Sequence, residues 1–415
     1  MKLLIHGINF SPELTGIGKY TGEMAAWLAN AGVSVRVVTA PPYYPQWQVG
    51  QGYSGARYKV EADHNLLVVR SPLWVPSRVS GLKRLAHLGS FAASSFPAMI
   101  SQGLAWRPDA VFVVEPTFFN TPAALAAARA CGAKAWLHVQ DLEIDASLSL
   151  GLLPKGPPTS LALTSERIVM NRFDMVSSIS ASMLDKLRHK GVPHEKLIRF
   201  DNWVDTDVIK PMGETPPLRA ELANKLGFDE DSVIALYSGN MGEKQGLEVL
   251  PEAAKLLQNE PKVVFVLCGA GAARQRLQDA AQGLPNVRFS DLVPFERLNE
   301  LLNMADIHLL PQRPDVDELV MPSKLTGILA AGGALVAAAR SGSELSAAVN
   351  SAGGRVVEPG DAAALASAVQ DLAANPVRRS EMGAQARTYA LQHMGKDAIL
   401  GGFLDQLRSL TGVRD

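Results

Sequence analysis

Short apolar runs recur along the whole chain, and each is followed by a stretch with helical spacing. In the first half the runs are residues 2–8, 33–39, 66–70, 109–114, 134–139, 175–179 and 196–200. In the second half they are residues 233–238, 263–268, 287–290, 307–310, 334–338 and 354–357. Near-continuous apolar strands joined by helices are typical of parallel sheets covered on both faces. The pattern therefore predicts an α/β fold with two Rossmann-like parallel-sheet domains, whose ligands bind beyond the carboxyl ends of the strands.

The length of the chain bounds its organisation. A chain of 415 residues is too long for one core and fits two domains of about 200 residues each. We place the first domain at 1–204, a hinge rich in Pro, Thr and Asp at 205–217, and the second domain at 218–395. We expect a terminal helix at 396–415 to pack back on the first domain.

Charge and cysteine content exclude several classes of function. The 40 basic and 41 acidic residues give a net charge of −1, so no nucleic-acid partner is expected. Cys131 and Cys268 are far apart and each lies near an apolar run, which indicates buried thiols in a reducing compartment. The amino terminus enters a strand at once, without the pattern of a signal peptide. We therefore expect a cytoplasmic protein.

A glycine-rich stretch follows the apolar run 233–238. It contains Gly239, Gly242 and Gly246, together with Lys244, and a helical pattern comes next. A turn of this kind between a strand and a helix predicts N–H groups directed at an anion, to which Lys244 would add a positive charge. The stretch therefore predicts a phosphate site in the second half.

A second lysine lies at the predicted start of another helix in the same half. Pro322 suits the first helical turn, which leaves Ser323 and Lys324 with N–H groups facing outward. One helix amino terminus with a lysine is weak evidence. Two of them in one Rossmann-like domain favour a diphosphate ligand.

The loop after the first strand also contains residues that break regular structure. Thr15, Gly16, Ile17 and Gly18 precede a helix and are candidates to lie under a phosphate or a sugar. The loop is not G-x-G-x-x-G, and no acidic residue closes the second strand, so a nicotinamide dinucleotide site is disfavoured. A strand-to-helix turn without a ligand is the alternative.

Polar side chains follow two further strands of the first half. His138 and Asp141 lie where the run 134–139 meets its loop, and Glu115 follows the run 109–114. A histidine at such a place can hydrogen-bond a sugar hydroxyl, and a carboxylate can hold an acceptor hydroxyl. We take the three as catalytic candidates, with a core histidine satisfied by its neighbours as an equally good interpretation of His138.

Four stretches resemble retaining glycosyltransferases of the GT4 type, which have the GT-B fold of two Rossmann-like domains facing a central cleft. The stretches are residues 7–23, 39–50, 82–91 and 237–248, and the likeness extends over nearly the whole chain. More narrowly, the chain resembles enzymes of colanic acid-type exopolysaccharide biosynthesis. The resemblance implies transfer of a sugar, with retention, from a GDP- or UDP-linked donor to a lipid-diphosphate-linked saccharide. GDP-fucose is one such donor.

The resemblance also implies roles for individual residues. Lys244 and Lys324 would meet the donor diphosphate, and backbone near Leu292 and Val293 would meet the base. His138, with residues 15–18, would face the donor sugar.

Two positions depart from the family pattern. Asn240 stands where the family has an arginine in the phosphate turn. The family's two glutamates fall on Leu319 and Gly327, which leaves Glu318 and Glu344 as acidic candidates for contact with the donor. No Asp-x-Asp motif stands at a strand end, so we expect no metal and no other cofactor.

The segment between Arg84 and Arg107 has no charged residue. Preceded by Lys83 and Arg84, residues 85–106 could lie at a membrane interface, as expected for an enzyme with a lipid-linked acceptor on the cytoplasmic face of the inner membrane. A core helix of the first domain is the alternative.

Other functions are compatible with two Rossmann-like domains. A non-hydrolysing sugar-nucleotide epimerase would need acidic and histidine groups for proton abstraction, and its product would form without an acceptor. A two-lobed solute-binding protein would bind sugar without nucleotide. Glycosyl transfer is the leading hypothesis.

Overall fold

The protein divides into two compact units of α/β structure. The computed structural model describes residues 1–13, 16–77, 81–115, 118–142, 156–242, 245–260, 262–313 and 321–413. The first unit contains Met1–Asp201 and Ile399–Asp415, and the second contains Asn202–Ala398. Within the described ranges, no helix combines the length and the apolar character that crossing a bilayer requires.

The described part of the first unit contains an eight-stranded sheet. Its strands are β1 (Lys2–His6), β2 (Ser34–Thr39), β3 (Lys59–Asp63), β4 (Leu66–Arg70), β5 (Ala110–Glu115), β6 (Lys134–Val139), β7 (Met175–Ser178) and β8 (Leu197–Arg199). They lie in the order β3-β4-β2-β1-β5-β6-β7-β8. The helices are α1 (Gly16–Asn30), α2 (Gly81–Trp106), α3 (Thr121–Cys131), α4 (Pro157–Met170) and α5 (Ala181–His189).

Strand β3 differs from the expectation of sheets that are parallel throughout. It pairs antiparallel with β4, with Lys59 opposite Arg70 and Asp63 opposite Leu66. Its residues are mostly exposed, so it lacks the apolar run by which the other strands were predicted. Charged side chains on such an edge strand disfavour pairing with a second chain.

The described residues of the second unit form a six-stranded sheet, and every pairing among these strands is parallel. Its strands are β9 (Val233–Ser238), β10 (Val263–Cys268), β11 (Val287–Ser290), β12 (Ile307–Leu310), β13 (Leu335–Ala338) and β14 (Arg355–Val357). Its helices are α6 (Pro217–Leu226), α7 (Val249–Leu256), α8 (Arg274–Ala280), α9 (Leu298–Asn303), α10 (Ser323–Ala330), α11 (Glu344–Ser351), α12 (Ala362–Ala373) and α13 (Pro376–His393). Helix α14 (Lys396–Thr411) follows, and most of it belongs to the first unit.

Aromatic rings join α14 to the first sheet. Phe403 stacks on Phe200 with ring centroids 4.5 Å apart. It also contacts Phe112 and Trp136, at 5.0 Å in each case. All four rings are buried, so α14 completes the core of the first unit.

In both sheets the strand order reverses beside the first strand of the unit. The second sheet runs β11-β10-β9-β12-β13-β14, so its connections proceed in one direction from β9 and return on the other side at β12. The first sheet reverses in the same way between β1 and β5. Loops at such a reversal diverge and leave a crevice at the carboxyl ends of the strands. The loops after β1, β5, β9 and β12 are therefore the places to look for a site.

Candidate donor-binding and active site

The glycine-rich turn after β9 lies against the loop that follows β10. The N–H of Gly239 donates to the carbonyl of Cys268 at 2.9 Å, and the N–H of Met241 donates to that of Ala270 at 2.8 Å. These two N–H groups therefore bond within the protein, whereas the sequence had suggested that the N–H groups of the turn would face a ligand. Met241 is fully buried and fixes the turn to the core.

The glycines of this turn are needed by the protein's own backbone and side chains. Gly246 has a φ of +62°, and a Cβ at that position would lie 2.6 Å from the carbonyl oxygen of Gln312 in the loop after β12. Gly239 has a φ of +127°, and a Cβ there would collide with Cε of Lys324. Close approach of a neighbouring loop and of Lys324 is therefore one reason for these glycines, and the approach of an anion to the turn stays a prediction.

Lys324 lies in the first turn of α10 and reaches back to the turn after β9. Its ammonium donates to the hydroxyl of Tyr237 and lies 3.5 Å from the carbonyl oxygen of Asn240. Helix α10 begins at Ser323, with Pro322 at the N-cap. The structure therefore brings Asn240, Ser323 and Lys324 to one place at the reversal of the sheet. Lys244 lies outside the described residues.

Burial changes the ionisation of Lys324. Desolvation lowers the pKa of its ammonium from 10.5 to about 8. A bound diphosphate would restore the charged form, because opposite charge nearby favours ionisation. The first turn of α10 also has backbone N–H groups without intrahelical partners, as in any helix. Together these groups form a positively polarised site suited to phosphate oxygens.

The predicted base-binding residues lie in the loop after β11. Leu292 is 55% exposed, and Val293 is half-buried. This loop is joined to the one after β10, because Arg274 donates to Asp291 at 2.5 Å and to the carbonyl of Gly269 at 2.9 Å. The loops after β9, β10 and β11 are therefore connected in series. Contact of residues 292 and 293 with a base stays a prediction.

Glu344 begins α11, after β13. Ser343 caps this helix by accepting a hydrogen bond from the N–H of Ser346 at 3.1 Å. Glu344 is half-buried and lies beyond the carboxyl end of β13, so it shares the sheet edge with Lys324. Glu318, Leu319 and the other residues between 314 and 320 lie outside the described residues, and a donor contact of Glu344 stays a prediction.

In the first unit, α1 begins at Gly16, and Gly18 is buried at its start. A Cβ on Gly18 would lie 2.6 Å from Oε2 of Glu13. Ile17 is half-buried, and its carbonyl accepts a hydrogen bond from the hydroxyl of Thr21 at 2.8 Å. Gly18 thus makes room for a carboxylate of the protein. Thr15 lies outside the described residues.

Glu13 is a residue whose importance the sequence analysis missed. It is 5% exposed and accepts hydrogen bonds at 3.0 Å from the N–H groups of Tyr43 and Tyr44, and at 2.9 Å from the amide of Asn9. Burial raises the pKa of this carboxyl, an effect opposed by these hydrogen bonds and by the charge of Arg70. Glu13 therefore joins the loops after β1 and β2. A carboxylate between Pro12 and a pair of glycines was the available signal.

His138 lies on β6 and is buried, with its ring stacked on Phe112 at 5.7 Å. Its Nε2 contacts Nε2 of Gln140 at 2.9 Å, and its Nδ1 contacts Oγ of Ser177 at 2.9 Å. An amide nitrogen only donates, so Nε2 accepts and Nδ1 carries the proton that it donates to Ser177. Burial lowers the pKa of His138 to about 3, so the ring is neutral at physiological pH.

Both ring nitrogens of His138 are therefore engaged within the protein, as in the core-histidine interpretation. Contact with a donor sugar stays a prediction, and it requires Gln140 to turn away. Glu115 ends β5 and is 3% exposed, whereas Asp141 is exposed. Their catalytic roles stay predictions as well. His6, at the end of β1, is buried too, and its Nε2 lies 3.0 Å from Oγ of Ser95.

Two family models cover most of the chain. The Glycosyl transferase 4-like domain matches residues 15–203, and the Glycosyl transferases group 1 model matches residues 219–389. The chain belongs to this glycosyltransferase family. It is therefore an enzyme, as the resemblance predicted, and its fold class, the α/β GT-B class, is confirmed.

Individual relatives agree with this assignment. Over 98% of its length the chain is 44% identical to the whole of the putative colanic acid biosynthesis glycosyl transferase WcaI of Escherichia coli K12. Sucrose-phosphate synthase from Thermosynechococcus elongatus has a TM-score of 0.73 at 18% identity, over 99% of both chains. Anabaena HepE in complex with UDP-glucose has a TM-score of 0.65 at 15% identity, over 99% of this chain and 100% of that one. The two structures show likeness of fold.

Proposed function

We propose that this enzyme transfers a sugar, with retention, from a nucleotide-sugar to a lipid-diphosphate-linked saccharide during exopolysaccharide biosynthesis of the colanic acid type. The observation that carries the proposal is Lys324, which is desolvated beside the glycine-rich turn where the second sheet reverses. The colanic acid relative supports the biosynthetic setting, and HepE shows that this fold accommodates UDP-glucose. GDP-fucose is the first donor to test, and UDP-sugars are the competing class.

Lys324 would act on the leaving group. The bond between the sugar C1 and the diphosphate oxygen breaks, and its electron pair remains on the diphosphate. The acceptor oxygen bonds to C1 on the same face, and the acceptor proton passes to the departing diphosphate. The ammonium of Lys324 stabilises the negative charge that develops, which lowers the barrier because the interaction strengthens in the transition state.

The test is nucleotide binding by the full chain. Calorimetry with GDP, UDP, ADP and dTDP should identify one diphosphate that binds, and Lys324→Ala should weaken it about 10- to 100-fold, since a hydrogen bond to a charged group contributes about 1.5–3 kcal/mol. Lys255→Ala is the matched control, because Lys255 is exposed on α7 of the same unit. Equal affinity of wild type and Lys324→Ala would refute the site. Binding of none of the four nucleotides would refute the function.

Retention and acceptor class need a product. Transfer from the donor so identified to a lipid-diphosphate saccharide should give a glycoside with the anomeric configuration of the donor, as determined by NMR. Product of inverted configuration would contradict the mechanism. A sugar-nucleotide product formed without acceptor would favour the epimerase alternative.

We also propose that the first unit contacts the inner membrane through α2. The helix has no acidic residue, and Leu85, Phe96 and Leu104 are 51%, 42% and 56% exposed. Exposed apolar side chains near Lys83 suit an interface with anionic lipid. In flotation with phosphatidylglycerol vesicles, Phe96→Ser should reduce binding, and Val377→Ser, at an even more exposed apolar residue of the second unit, should not. Equal binding of both variants would refute the contact.

A further inference from the structure

Tyr237 is the aromatic residue of β9 and is fully buried, yet its hydroxyl reaches the glycine-rich turn. The ring is 0% exposed and packs in the core beneath α7. Its hydroxyl donates to the carbonyl oxygen of Asn240 at 2.5 Å and accepts a hydrogen bond from the ammonium of Lys324. One oxygen therefore joins the turn after β9 to the helix that follows β12.

The chemistry of the phenol suits this position. Burial raises the pKa of Tyr237, so the hydroxyl keeps its proton at any physiological pH. Its single proton is used on Asn240, and its lone pairs remain for the ammonium of Lys324. The ammonium also lies 4.1 Å from the centroid of the Tyr237 ring, within the range of a cation–π contact. The hydroxyl and the ring of Tyr237 thus both contact the ammonium of Lys324.

Gly239 supplies the space that this arrangement needs. Its φ of +127° and the absence of a Cβ allow the stem of Lys324 to pass over it, with Nζ 3.2 Å and Cδ 3.4 Å from where a Cβ would be. The side chain of Lys324 is therefore confined by the ring of Tyr237, by Gly239, and by the Tyr237 hydroxyl that contacts its ammonium. A free lysine has about 2 kcal/mol of rotamer entropy to lose on binding a ligand, and confinement removes part of that cost beforehand.

We propose that Tyr237 is a positioning residue, which fixes the ammonium of Lys324 and the backbone of Asn240 for the diphosphate of the donor. The inference rests on the proposed function, because it assigns Tyr237 a part in the same site. Tyr237 acts through Lys324 and does not itself touch the reacting atoms. The sequence shows only an aromatic residue in an apolar strand, which is typical of any core.

The test is a double-mutant cycle on nucleotide affinity. Tyr237→Phe keeps the ring and removes the hydroxyl, so it should weaken the diphosphate identified above about tenfold. Combined with Lys324→Ala, Tyr237→Phe should have no further effect, because the group on which it acts is gone. Affinity for the corresponding nucleoside monophosphate should change little, since the Tyr237 hydroxyl positions the Lys324 ammonium, which is proposed to bind the diphosphate. Tyr389→Phe, on α13, is the matched control and should bind like wild type.

Thermal unfolding of Tyr237→Phe guards against loss of folding. A hydroxyl that served only stability would lower the melting temperature and leave the affinity for the diphosphate unchanged. The inference would be overturned if the effects of Tyr237→Phe and Lys324→Ala on nucleotide affinity were additive, or if Tyr237→Phe left the affinity unchanged. If Lys324→Ala weakens binding and Tyr237→Phe does not, the proposed function stands and this inference fails. If wild type binds no nucleoside diphosphate, both fail.

Discussion

Replacement of Lys324 by methionine should make the protein more stable while it weakens donor binding. Methionine keeps an unbranched stem over Gly239 and removes the desolvated ammonium. The fall of the Lys324 pKa from 10.5 to about 8 corresponds to about 3.5 kcal/mol, at about 1.4 kcal/mol per pKa unit. The hydrogen bond to the Tyr237 hydroxyl and the cation–π contact with its ring are lost, so we expect a smaller net gain, of roughly 1–3 kcal/mol in the free energy of unfolding at pH 7.

The pH dependence gives the sign of the effect. The pKa of Lys324 is lower in the folded protein than in the unfolded chain, so its ionisation opposes folding fully below about pH 8. This cost shrinks as pH rises from about 8 towards 10.5, where the unfolded chain also loses the proton. The advantage of Lys324→Met should therefore be largest at pH 7 and should nearly vanish near pH 10.5.

Urea denaturation of the full chain at pH 7, 9 and 10.5 measures this difference. Lys255→Met is the control, because an exposed lysine of α7 should give a small difference that is the same at each pH. The reasoning would be refuted if Lys324→Met were less stable than wild type at pH 7. A gain that stayed constant across the three pH values would refute it as well.

Three further predictions concern ligand binding and the first unit. Nucleoside diphosphate affinity of the wild type should fall as pH rises above about 8, where Lys324 in the empty site loses its charge, and calorimetry of Lys324→Arg should show no such fall, because guanidinium stays charged. Gly18→Ala should lower thermal stability and should slow transfer at least tenfold, since its Cβ would displace Glu13. Gly89→Ala, with open space around it, should do neither. EDTA should leave the transfer rate unchanged, because Lys324 and helix N–H groups are proposed to meet the phosphate charge; a loss restored by Mg²⁺ would contradict this.

The sequence was sufficient for the fold where burial dictates residue type. Strand β5 is buried along its whole length, so its Val and Phe residues predict a parallel strand covered on both faces. Strand β3 was missed because its exposed Lys, Glu and Asp side chains leave backbone pairing with β4 as its main support. A hydrophobic pattern in the sequence detects strands whose side chains are buried, and it does not detect a strand whose side chains are almost all exposed.

Part of the candidate site followed from residue types and from the family resemblance. The helix start with Lys324 and the glycine-rich stretch with Asn240 are brought together by the fold, and their contact with a phosphate stays a prediction. Tyr237 and Glu13 were not found, because their roles depend on where one hydroxyl and one carboxylate point after folding. The same limit applies to His138, whose ring nitrogens are occupied by partners 2 and 39 positions away in the chain.

The packing of Phe403 among Phe112, Trp136 and Phe200 has a consequence for biosynthesis. The second unit is inserted into the first, since the first resumes at Ile399. The ribosome synthesises the chain from its amino terminus, so residues 202–398 can fold as a complete unit while the first unit still lacks α14, which completes its core. The unit made first should therefore finish last, and its exposed aromatic rings would need protection from aggregation until translation ends.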